Sequence, residues 1–425
     1  MIRAVLCLVA LLLVPVAALH ATEPRAVVER VAAAIEREYF DAGRGSEIAV
    51  ALRKDAARGD FDRFSNPQEL ATALTTRLKA QDRHFNVRWS ANAGQAAPAA
   101  RGPSEREESR NNFGIRRVEI LPGNVGYLDL RYFADFDYGV DPSQAPARQA
   151  IDAALQVLGH VDALLIDLRD NGGGSPAMVG YLASAFVAPD ADIYNRFRSR
   201  EGTTSEAPAQ PHPAPRTQLP LYLLVSGRTG SAAEAFAYTL KNAKRATLVG
   251  QATGGAANPG RPFGIGGGFS VFVSTGSPVS PISGGNWEGT GVAPDVETAA
   301  ADALAKAQQL ALALLVEHGA GEHARWSLDA LIASAPPVAP AALAALAGDY
   351  GAVRVTAADG ALILQQGRRP PLRLRPLSEG LFFVDGEPTR RVRFERQQDG
   401  RSTALELMWA DGQVARHVRG EDGGH

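Results

Sequence analysis

The sequence predicts an α/β protein with a helical N-terminal region and a small antiparallel β domain at its C-terminal end. Apolar strands alternate with helical patterns between residues 112 and 316, a rhythm typical of parallel βαβ units. Residues 24–80 follow the 3.6-residue period of helices with one buried face. Near the C-terminus, short alternating runs are separated by the Asp-Gly pairs typical of hairpin turns, at 359–360, 385–386, 399–400 and 411–412.

Composition limits the partners and the chemistry to expect. The chain has 425 residues, which suggests two or three domains at ~150 residues each. Its net charge is -2 with both signs mixed, so no nucleic-acid partner or anionic membrane surface is expected. The single cysteine, Cys7, lies in the apolar N-terminal segment. If that segment is removed, disulfides, thiol catalysis and cysteine-held metals are excluded from the mature chain.

Residues 1–21 have the pattern of a secretory signal peptide. Arg3 precedes an apolar run from Ala4 to Ala18, and the following Leu19-His20-Ala21 ends in a small residue. The run is shorter than the ~20 residues of a membrane-spanning helix. We therefore expect cleavage after about Ala21 and an exported protein, periplasmic or secreted, without a membrane span.

A helical N-terminal domain is predicted over residues 22–95. Asn66-Pro67-Gln68-Glu69 has the cap, the proline and the acidic residue of a helix start. The region ends with a short alternating strand that begins just after His84, and a lone histidine at such a junction is usually structural. Residues 91–111 are rich in Ala, Gly, Pro and charge, which indicates a linker or loop.

A core domain is predicted over residues 112–316, and a glycine-rich turn is its first notable feature. The buried strand Ala163–Arg169 runs into the sequence DNGGGSP at 170–176. Three glycines let backbone N–H groups approach a ligand closely. No Gly-Lys-Ser/Thr follows for a P-loop, and the G-x-G-x-x-G spacing for a dinucleotide is absent. No cofactor is expected. A binding site for a developing oxyanion stays a possible interpretation of this turn.

The second feature of the core is Ser231, where a strand turns sharply into a helix. Leu221–Ser226 is predicted to be a strand buried on both faces, and the helical pattern begins at Ser231. Such a turn exposes a hydroxyl and directs backbone N–H groups at a ligand. Serine is also a very common helix N-cap, and this stretch alone favours the N-cap. A nucleophilic serine needs a base within ~3 Å and a group that orients the base.

The C-terminal β domain, predicted over residues 341–425, shows no pattern that carries chemistry. A Pro/Ala linker at 333–340 precedes it. The Glu-His pairs at 317–318 and 322–323 lack the i, i+4 histidine spacing of a zinc helix, so no metal is expected. Asp167, Arg169 and Asp170 are predicted to form a structural ion-pair network at a strand end.

Five motifs, in order over residues 24–315, resemble the tricorn and carboxyl-terminal-processing serine peptidase family. The likeness is to the branch similar to repeats of interphotoreceptor retinoid-binding protein. The motifs are DRHFNV, NNFGIRRVEILPGNVGYLDLRYF, LLIDLRDNGGG, RTGSAAEAFAY with RATLVGQATGGA, and NWEGTGVAPDV. The resemblance implies a crotonase/ClpP-like β/α core and a serine acyl-enzyme mechanism. It implies Ser231 as the nucleophile, His84 as the base and Glu288 as the residue that orients the base.

The resemblance also implies the groups that contact the substrate. The backbone N–H of Ala232, with that of Gly172 or Gly173, would form the oxyanion hole. Gly254 and Gly255 are predicted to bind substrate because this glycine pair exposes its backbone. Trp287 is a further candidate for substrate binding, although plain packing explains a tryptophan equally well.

Several positions depart from the family pattern. Ala256 stands where processing peptidases of the lysine type carry their catalytic lysine, which excludes a Ser/Lys dyad. Lys241 and Lys244 are expected to lie on the solvent-exposed outer face of the helix that follows Ser231, or just after it. Arg83 precedes His84 where the tricorn type has a serine, and its effect on catalysis stays open. No PDZ-like insertion is found, which puts selectivity for chain tails in doubt.

Together these observations predict an exported serine endopeptidase that cleaves unfolded or extended polypeptides. The substrate is expected to add as a strand beside residues 264–273, where glycines lead into a strand. Two alternatives stay open: a non-catalytic binder of apolar ligands such as retinoids or fatty acids, and an esterase that uses the same site. The set of Ser231, His84 and Glu288 favours an enzyme, because a pure binder needs none of the three. The oligomeric state is left open.

Overall fold

The computed structural model describes residues 23–91, 105–333, 338–397 and 401–420. The chain divides into two compact units, residues 1–100 with 260–276 and residues 101–259 with 277–425. The predicted signal peptide and most of the predicted linker at 91–111 lie outside the described residues. Among the described residues, no helix is both long enough and apolar enough to span a membrane.

Helices and strands are numbered in chain order. The helices are α1 (Pro24–Glu38), α2 (Ala42–Ala57), α3 (Pro67–Lys79), α4 (Glu105–Arg110), α5 (Pro146–Val157), α6 (Pro176–Ser184), α7 (Ala232–Asn242), α8 (Ala303–Glu317), α9 (Gly321–Ile332) and α10 (Pro340–Leu346). The strands are β1 (Asn86–Trp89), β2 (Ile115–Leu121), β3 (Val125–Leu130), β4 (Ala163–Asp167), β5 (Arg196–Ser199), β6 (Gly202–Ser205), β7 (Leu221–Val225), β8 (Thr247–Gly250), β9 (Gly260–Gly266), β10 (Phe269–Ser274), β11 (Gly276–Val279), β12 (Val296–Glu297), β13 (Gly348–Tyr350), β14 (Val353–Ala358), β15 (Ala361–Gln366), β16 (Leu372–Ser378), β17 (Leu381–Val384), β18 (Glu387–Arg396), β19 (Ser402–Trp409) and β20 (Val414–Val418).

The first unit is helical, as the sequence predicts, and is completed by a hairpin from much later in the chain. The helix start at Asn66 is confirmed, since its side-chain oxygen accepts the N–H groups of Gln68 and Glu69. β1 pairs antiparallel with β10, which pairs with β9, so β9 is an edge strand of this sheet. Apolar residues from α1–α3, β1 and the β9–β10 hairpin form one core.

The second unit contains a six-stranded sheet in the order β12-β8-β7-β4-β3-β2. The strands from β3 to β12 run parallel, and β2 is antiparallel at one edge. β4 and β7 are buried along their whole length, which explains their continuous apolar sequence. Leu164 and Ile166 pack with residues of α5, α6 and α7, whereas Leu165 packs with α8, so helices cover both faces.

The C-terminal strands of this unit form a barrel-like antiparallel sheet in simple sequential order, β13 to β20. The N–H of Gly420 donates to the carbonyl of Asp349 at 2.8 Å, which joins the end of the last strand to the first. The glycines of three Asp-Gly turns have positive φ angles, 69° at Gly360, 81° at Gly386 and 90° at Gly412. The fourth pair, at 399–400, lies outside the described residues. The predicted fold class, an α/β core with a helical N-terminal region and an antiparallel C-terminal domain, is confirmed.

Candidate active site

Ser231 occupies a strained turn between β7 and α7. Its backbone angles are φ 50° and ψ -121°, in a region that non-glycine residues rarely adopt. Such a conformation costs about 1–3 kcal/mol and persists only where the surroundings enforce it. Ser231 is exposed, although it lies at the N-terminal end of α7. An ordinary N-cap adopts the β region, so capping alone does not account for the strain at Ser231.

The glycine-rich turn after β4 lies against Ser231. A Cβ placed on Gly173 would approach the Cβ of Ser231 to 2.8 Å, so only glycine fits there. The N–H of Gly173 donates to the side-chain oxygen of Asn171 at 2.9 Å. In contrast, no hydrogen bond from the N–H of Gly172 or Ala232 is found within the described part of the chain. The predicted oxyanion hole is therefore best supplied by Ala232 and Gly172.

Asn171, which sequence reasoning missed, pins this glycine turn to the rest of the unit. It is fully buried, and its side-chain N–H donates to the carbonyl of Leu130 at 2.9 Å. Its backbone carbonyl accepts the N–H of Gly230, one residue before Ser231, at 3.0 Å. The two turns that carry the predicted oxyanion donors are thus tied together by Asn171. In the sequence, Asn171 stands between Asp170 and three glycines, and this position was the signal that could have drawn attention to it.

Glu234 is a second residue that sequence reasoning missed. Its carboxylate is 0% exposed and accepts four hydrogen bonds. Oε2 accepts the backbone N–H of Ser231 at 2.8 Å and that of Ala256 at 2.9 Å. Oε1 accepts the hydroxyl of Thr253 at 2.5 Å and the N–H of Gly255 at 2.6 Å. The signal was the Ser-x-x-Glu spacing of a capping box, which predicts the contact with Ser231 but not the other three.

Glu288, the predicted orienting residue, lies in the loop between β11 and β12. Its Oε2 accepts the backbone N–H groups of Ala257 at 2.8 Å and Asn258 at 3.0 Å. Its own N–H donates to the side chain of Asn286 at 2.9 Å. These bonds fix the carboxylate of Glu288 against the chain segment that follows Gly255.

Trp287, Gly254 and Gly255 were predicted to bind substrate. Trp287 is only 1% exposed, and its ring packs 5.1 Å from that of Tyr238. A side chain so deeply buried cannot form the wall of a substrate pocket, so the packing alternative is correct for Trp287. The N–H of Gly254 donates to the carbonyl of Thr229, and that of Gly255 to Glu234. Both N–H groups are therefore already bonded within the fold. A role of the two glycines in substrate binding stays a prediction, and it would have to use groups other than these two N–H donors.

His84 lies in the first unit, in the turn between α3 and β1. Its backbone N–H donates to Asp82 at 2.8 Å. Asp82 is buried, and its other oxygen accepts the hydroxyls of Tyr39 at 3.1 Å and Ser274 at 2.8 Å. Asp82, also missed from the sequence, thereby fixes the backbone turn that carries His84. Arg83, in the place of the tricorn-type serine, is exposed.

Comparison with known families gives a match over part of the chain. Residues 124–298 match the family model described as peptidase family S41. This segment is therefore similar to the S41 peptidases. It includes the glycine-rich turn, Ser231 and Glu288, whereas His84 lies before it. The predicted relation to the tricorn and processing peptidases is confirmed, and the narrower likeness to retinoid-binding repeats stays a prediction.

Solved structures with a similar fold include three named proteins. A lipoprotein from Streptococcus agalactiae is 17% identical, with 68% of this chain and 96% of that chain covered and a TM-score of 0.44. The photosystem II D1 C-terminal processing protease is 18% identical, with 65% and 93% covered and a TM-score of 0.42. The tricorn protease is 12% identical, with 69% and 37% covered and a TM-score of 0.41.

The charged residues at the end of β4 and in the turn after it form ion pairs. The guanidinium of Arg169 pairs with Asp167 at 2.6 Å, and the hydroxyl of Tyr127 donates to the same carboxylate at 2.7 Å. Burial alone would raise the pKa of Asp167, but these hydrogen bonds outweigh burial and leave the pKa below its ordinary value. Asp170 pairs with Arg131 and Arg228. The predicted pairing of Arg169 with Asp167 is present, whereas Asp170 pairs with residues that the prediction did not name.

Lys241 is also engaged in polar contacts of its own. Its ammonium donates to the carbonyl of Ala293 at 2.6 Å and pairs with Asp295 at 2.8 Å. These contacts fit the prediction that it lies on the outer part of the helix after Ser231. Ala256, in the position of a dyad lysine, offers the S41 site only its backbone N–H.

Proposed function

We propose that this protein is a serine-type endopeptidase that cleaves unfolded or extended polypeptides through an acyl-enzyme. The observation that carries the proposal is the strained, exposed turn at Ser231 between β7 and α7. Strained backbone conformations cluster at active sites, where the surrounding structure enforces them.

The mechanism assigns one role to each residue. Ser231 Oγ attacks the scissile carbonyl carbon while His84 takes its proton, and His84 then returns the proton to the leaving amine. Glu288 accepts the second imidazole N–H and stabilises the imidazolium cation. The N–H groups of Ala232 and Gly172 bind the negative oxygen of the tetrahedral intermediate. Water, activated by the same histidine, releases the acyl group.

The substrate is proposed to bind as an added strand along β9. This proposal is supported by the position of β9 at the edge of its sheet, where it pairs only with β10 within the described sheet. An edge strand offers main-chain N–H and C=O groups that an extended peptide can pair with. Main-chain pairing carries little sequence preference and requires an extended chain, so unfolded polypeptides are the proposed substrates. Export to the periplasm or medium is proposed from residues 1–21.

A second candidate function is binding of an apolar ligand such as a retinoid or fatty acid. One observation favours it, a cavity of about 400 Å³ in the second unit. Its walls include Leu155, Leu158 and Phe186, and its volume is in the range of small-molecule sites. The esterase alternative uses the same serine and differs from the peptidase only in the bond that is cleaved.

The first prediction tests Ser231 directly. A fluorophosphonate probe should label the purified mature chain at Ser231, because such probes need an activated serine next to an oxyanion hole. Peptide mapping by mass spectrometry identifies the labelled residue, and Ser231→Ala should abolish labelling. The unlabelled wild-type protein should cleave denatured protein, and labelling of Ser231 should abolish that cleavage. Labelling that persists in Ser231→Ala refutes the assignment, and tight retinoid binding without cleavage of peptides or esters supports the binder instead.

A further inference from the structure

We propose that Glu234 is a positioning residue of this active site, which holds the turn at Ser231 and the segment 253–258 in one frame. The proposal rests on the proposed function and deepens it. We call residues 253–258 the bridging segment. Glu234 contacts no substrate in this proposal; it acts through the backbone on either side of it.

The bonding pattern of Glu234 exceeds what a helix cap requires. A capping glutamate accepts one backbone N–H at the helix start and usually lies at the surface. Glu234 is completely buried and accepts two donors at each oxygen, three of which come from the bridging segment. Burial of a carboxylate is costly unless all of its acceptor positions are filled. The full set of four donors therefore indicates that this site is built for a carboxylate.

The bridging segment connects Glu234 with Glu288. The N–H groups of Gly255 and Ala256 donate to Glu234, and those of the next two residues, Ala257 and Asn258, donate to Glu288. Four consecutive N–H groups thus hold two carboxylates. The first carboxylate also holds the N–H of Ser231. A continuous series of hydrogen bonds in this way fixes the nucleophile turn relative to the proposed orienting residue.

Thr253 completes the frame. Its hydroxyl accepts the N–H of Val292 at 2.7 Å, so its proton is directed at Glu234. Its backbone N–H donates to the carbonyl of Val292 at 3.2 Å. The loop after Glu288 is therefore attached to the same carboxylate through a single hydroxyl.

A glutamine at position 234 cannot replace this carboxylate. Its amide offers one acceptor oxygen and one NH₂ group, and the NH₂ must face donors in either orientation. On the side of Ser231 and Ala256 it meets two N–H groups, and on the other side it meets the N–H of Gly255. The resulting shift of the turn would displace the N–H of Ala232 from the developing negative oxygen. Loss of one such donor lowers rates by roughly 10²- to 10³-fold.

The experiment compares Glu234→Gln with Glu206→Gln in the full chain. Glu206 is an equally matched control, since it is a buried glutamate of the same unit whose carboxylate bonds Asn195 rather than the bridging segment. Rates of fluorophosphonate labelling of Ser231, and kcat and KM on denatured protein, are measured well below the melting temperature of each variant. We expect Glu234→Gln to lower the labelling rate and kcat by about 10²-fold with KM unchanged. Glu206→Gln should keep wild-type rates.

A folded Glu234→Gln variant that is labelled at the wild-type rate overturns the positioning role, because a merely structural residue changes stability and not chemistry. If Glu234→Gln does not fold, Thr253→Val decides, since it removes one donor to the carboxylate. A reduced labelling rate in folded Thr253→Val supports the role, and a wild-type rate overturns it. A wild-type chain that is never labelled overturns the proposed function itself, and that outcome is distinct from a labelled wild type with an unaffected Glu234→Gln.

Discussion

Ser231 and His84 are residues whose chemistry depends on how their backbones are held. Ser231 is fixed through its N–H by Glu234, and His84 through its N–H by Asp82. In both places a buried carboxylate accepts the backbone N–H of the residue. This arrangement is expected at a catalytic residue, because positioning supplies a large part of rate enhancement.

The residue-scale prediction concerns the identity of the base. His84→Ala should lower kcat on denatured protein on the order of 10³-fold or more, because serine is a weak nucleophile without a base. Lys241→Ala should change kcat little, since this ammonium is bound to Asp295 and the carbonyl of Ala293. Steady-state kinetics of the two variants, with melting temperatures as a folding check, give the ranking. A larger loss in Lys241→Ala than in His84→Ala would contradict the histidine mechanism.

The sequence predicts those parts of the site whose interacting residues lie close together along the chain. Ser231 and the glycine turn are recognisable because strand, turn and helix are adjacent in the chain. Glu234 and Asp82 were missed because most of their partners are remote: Thr253 follows Glu234 by 19 residues, and Ser274 follows Asp82 by 192. Trp287 was left open between substrate binding and packing, because a tryptophan in a loop motif looks the same in sequence whether it is buried or exposed.

At the scale of elements, β9 and its sheet are the part of the fold that was predicted least completely from the sequence. The sequence predicted a strand only at 269–273, in β10; it predicted neither β9 itself nor the pairing of β10 with β1, in which Val87 lies opposite Val271. No local pattern reveals a pairing between segments so far apart in the chain. In contrast, β4 and β7 were predicted from sequence alone, since parallel strands buried on both faces are continuously apolar.

The register of β9 shows which backbone groups a substrate strand could use. Pro262 lies opposite Phe272 of β10 and has no N–H to donate. Proline is tolerated in an edge strand where its nitrogen faces away from the partner, so Pro262 is turned outward. Alternate residues of an antiparallel strand share an orientation, which places the N–H of Gly264 outward as well. Gly264 is therefore the donor to test.

Gly264→Pro should raise KM for denatured protein by roughly 2- to 10-fold, which is the net value of one main-chain hydrogen bond. Gly264→Ala is the matched control, because a Cβ at this position has nothing within 4 Å and the N–H is kept. Labelling of Ser231 by a small fluorophosphonate should be unchanged in both variants. Equal KM values for the proline and alanine variants would be evidence against strand addition at Gly264.

At the scale of the whole molecule, one buried acid stands apart from the active site. Glu206 follows β6 and is 5% exposed; the side-chain N–H of Asn195 donates to its Oε2 at 3.0 Å. Its Oε1 is buried without a hydrogen-bond partner in the described part of the chain. Burial raises the pKa of Glu206 to about 8, and the hydrogen bond from Asn195 offsets this only in part. The folded protein therefore holds a proton at Glu206 that the unfolded chain releases at much lower pH.

Stability should consequently fall as pH rises from about 4.5 towards about 8, and this contribution is fully present only below the unfolded pKa. Glu206→Gln keeps the shape of the protonated acid without its titration, so its stability should vary less over this range and exceed that of the wild type at pH ~8. Urea unfolding midpoints at several pH values measure both effects. Glu201→Gln, the same change at an exposed residue of the neighbouring turn, should follow the wild-type curve. If Glu206→Gln also followed that curve, Glu206 would not be the group that binds the proton.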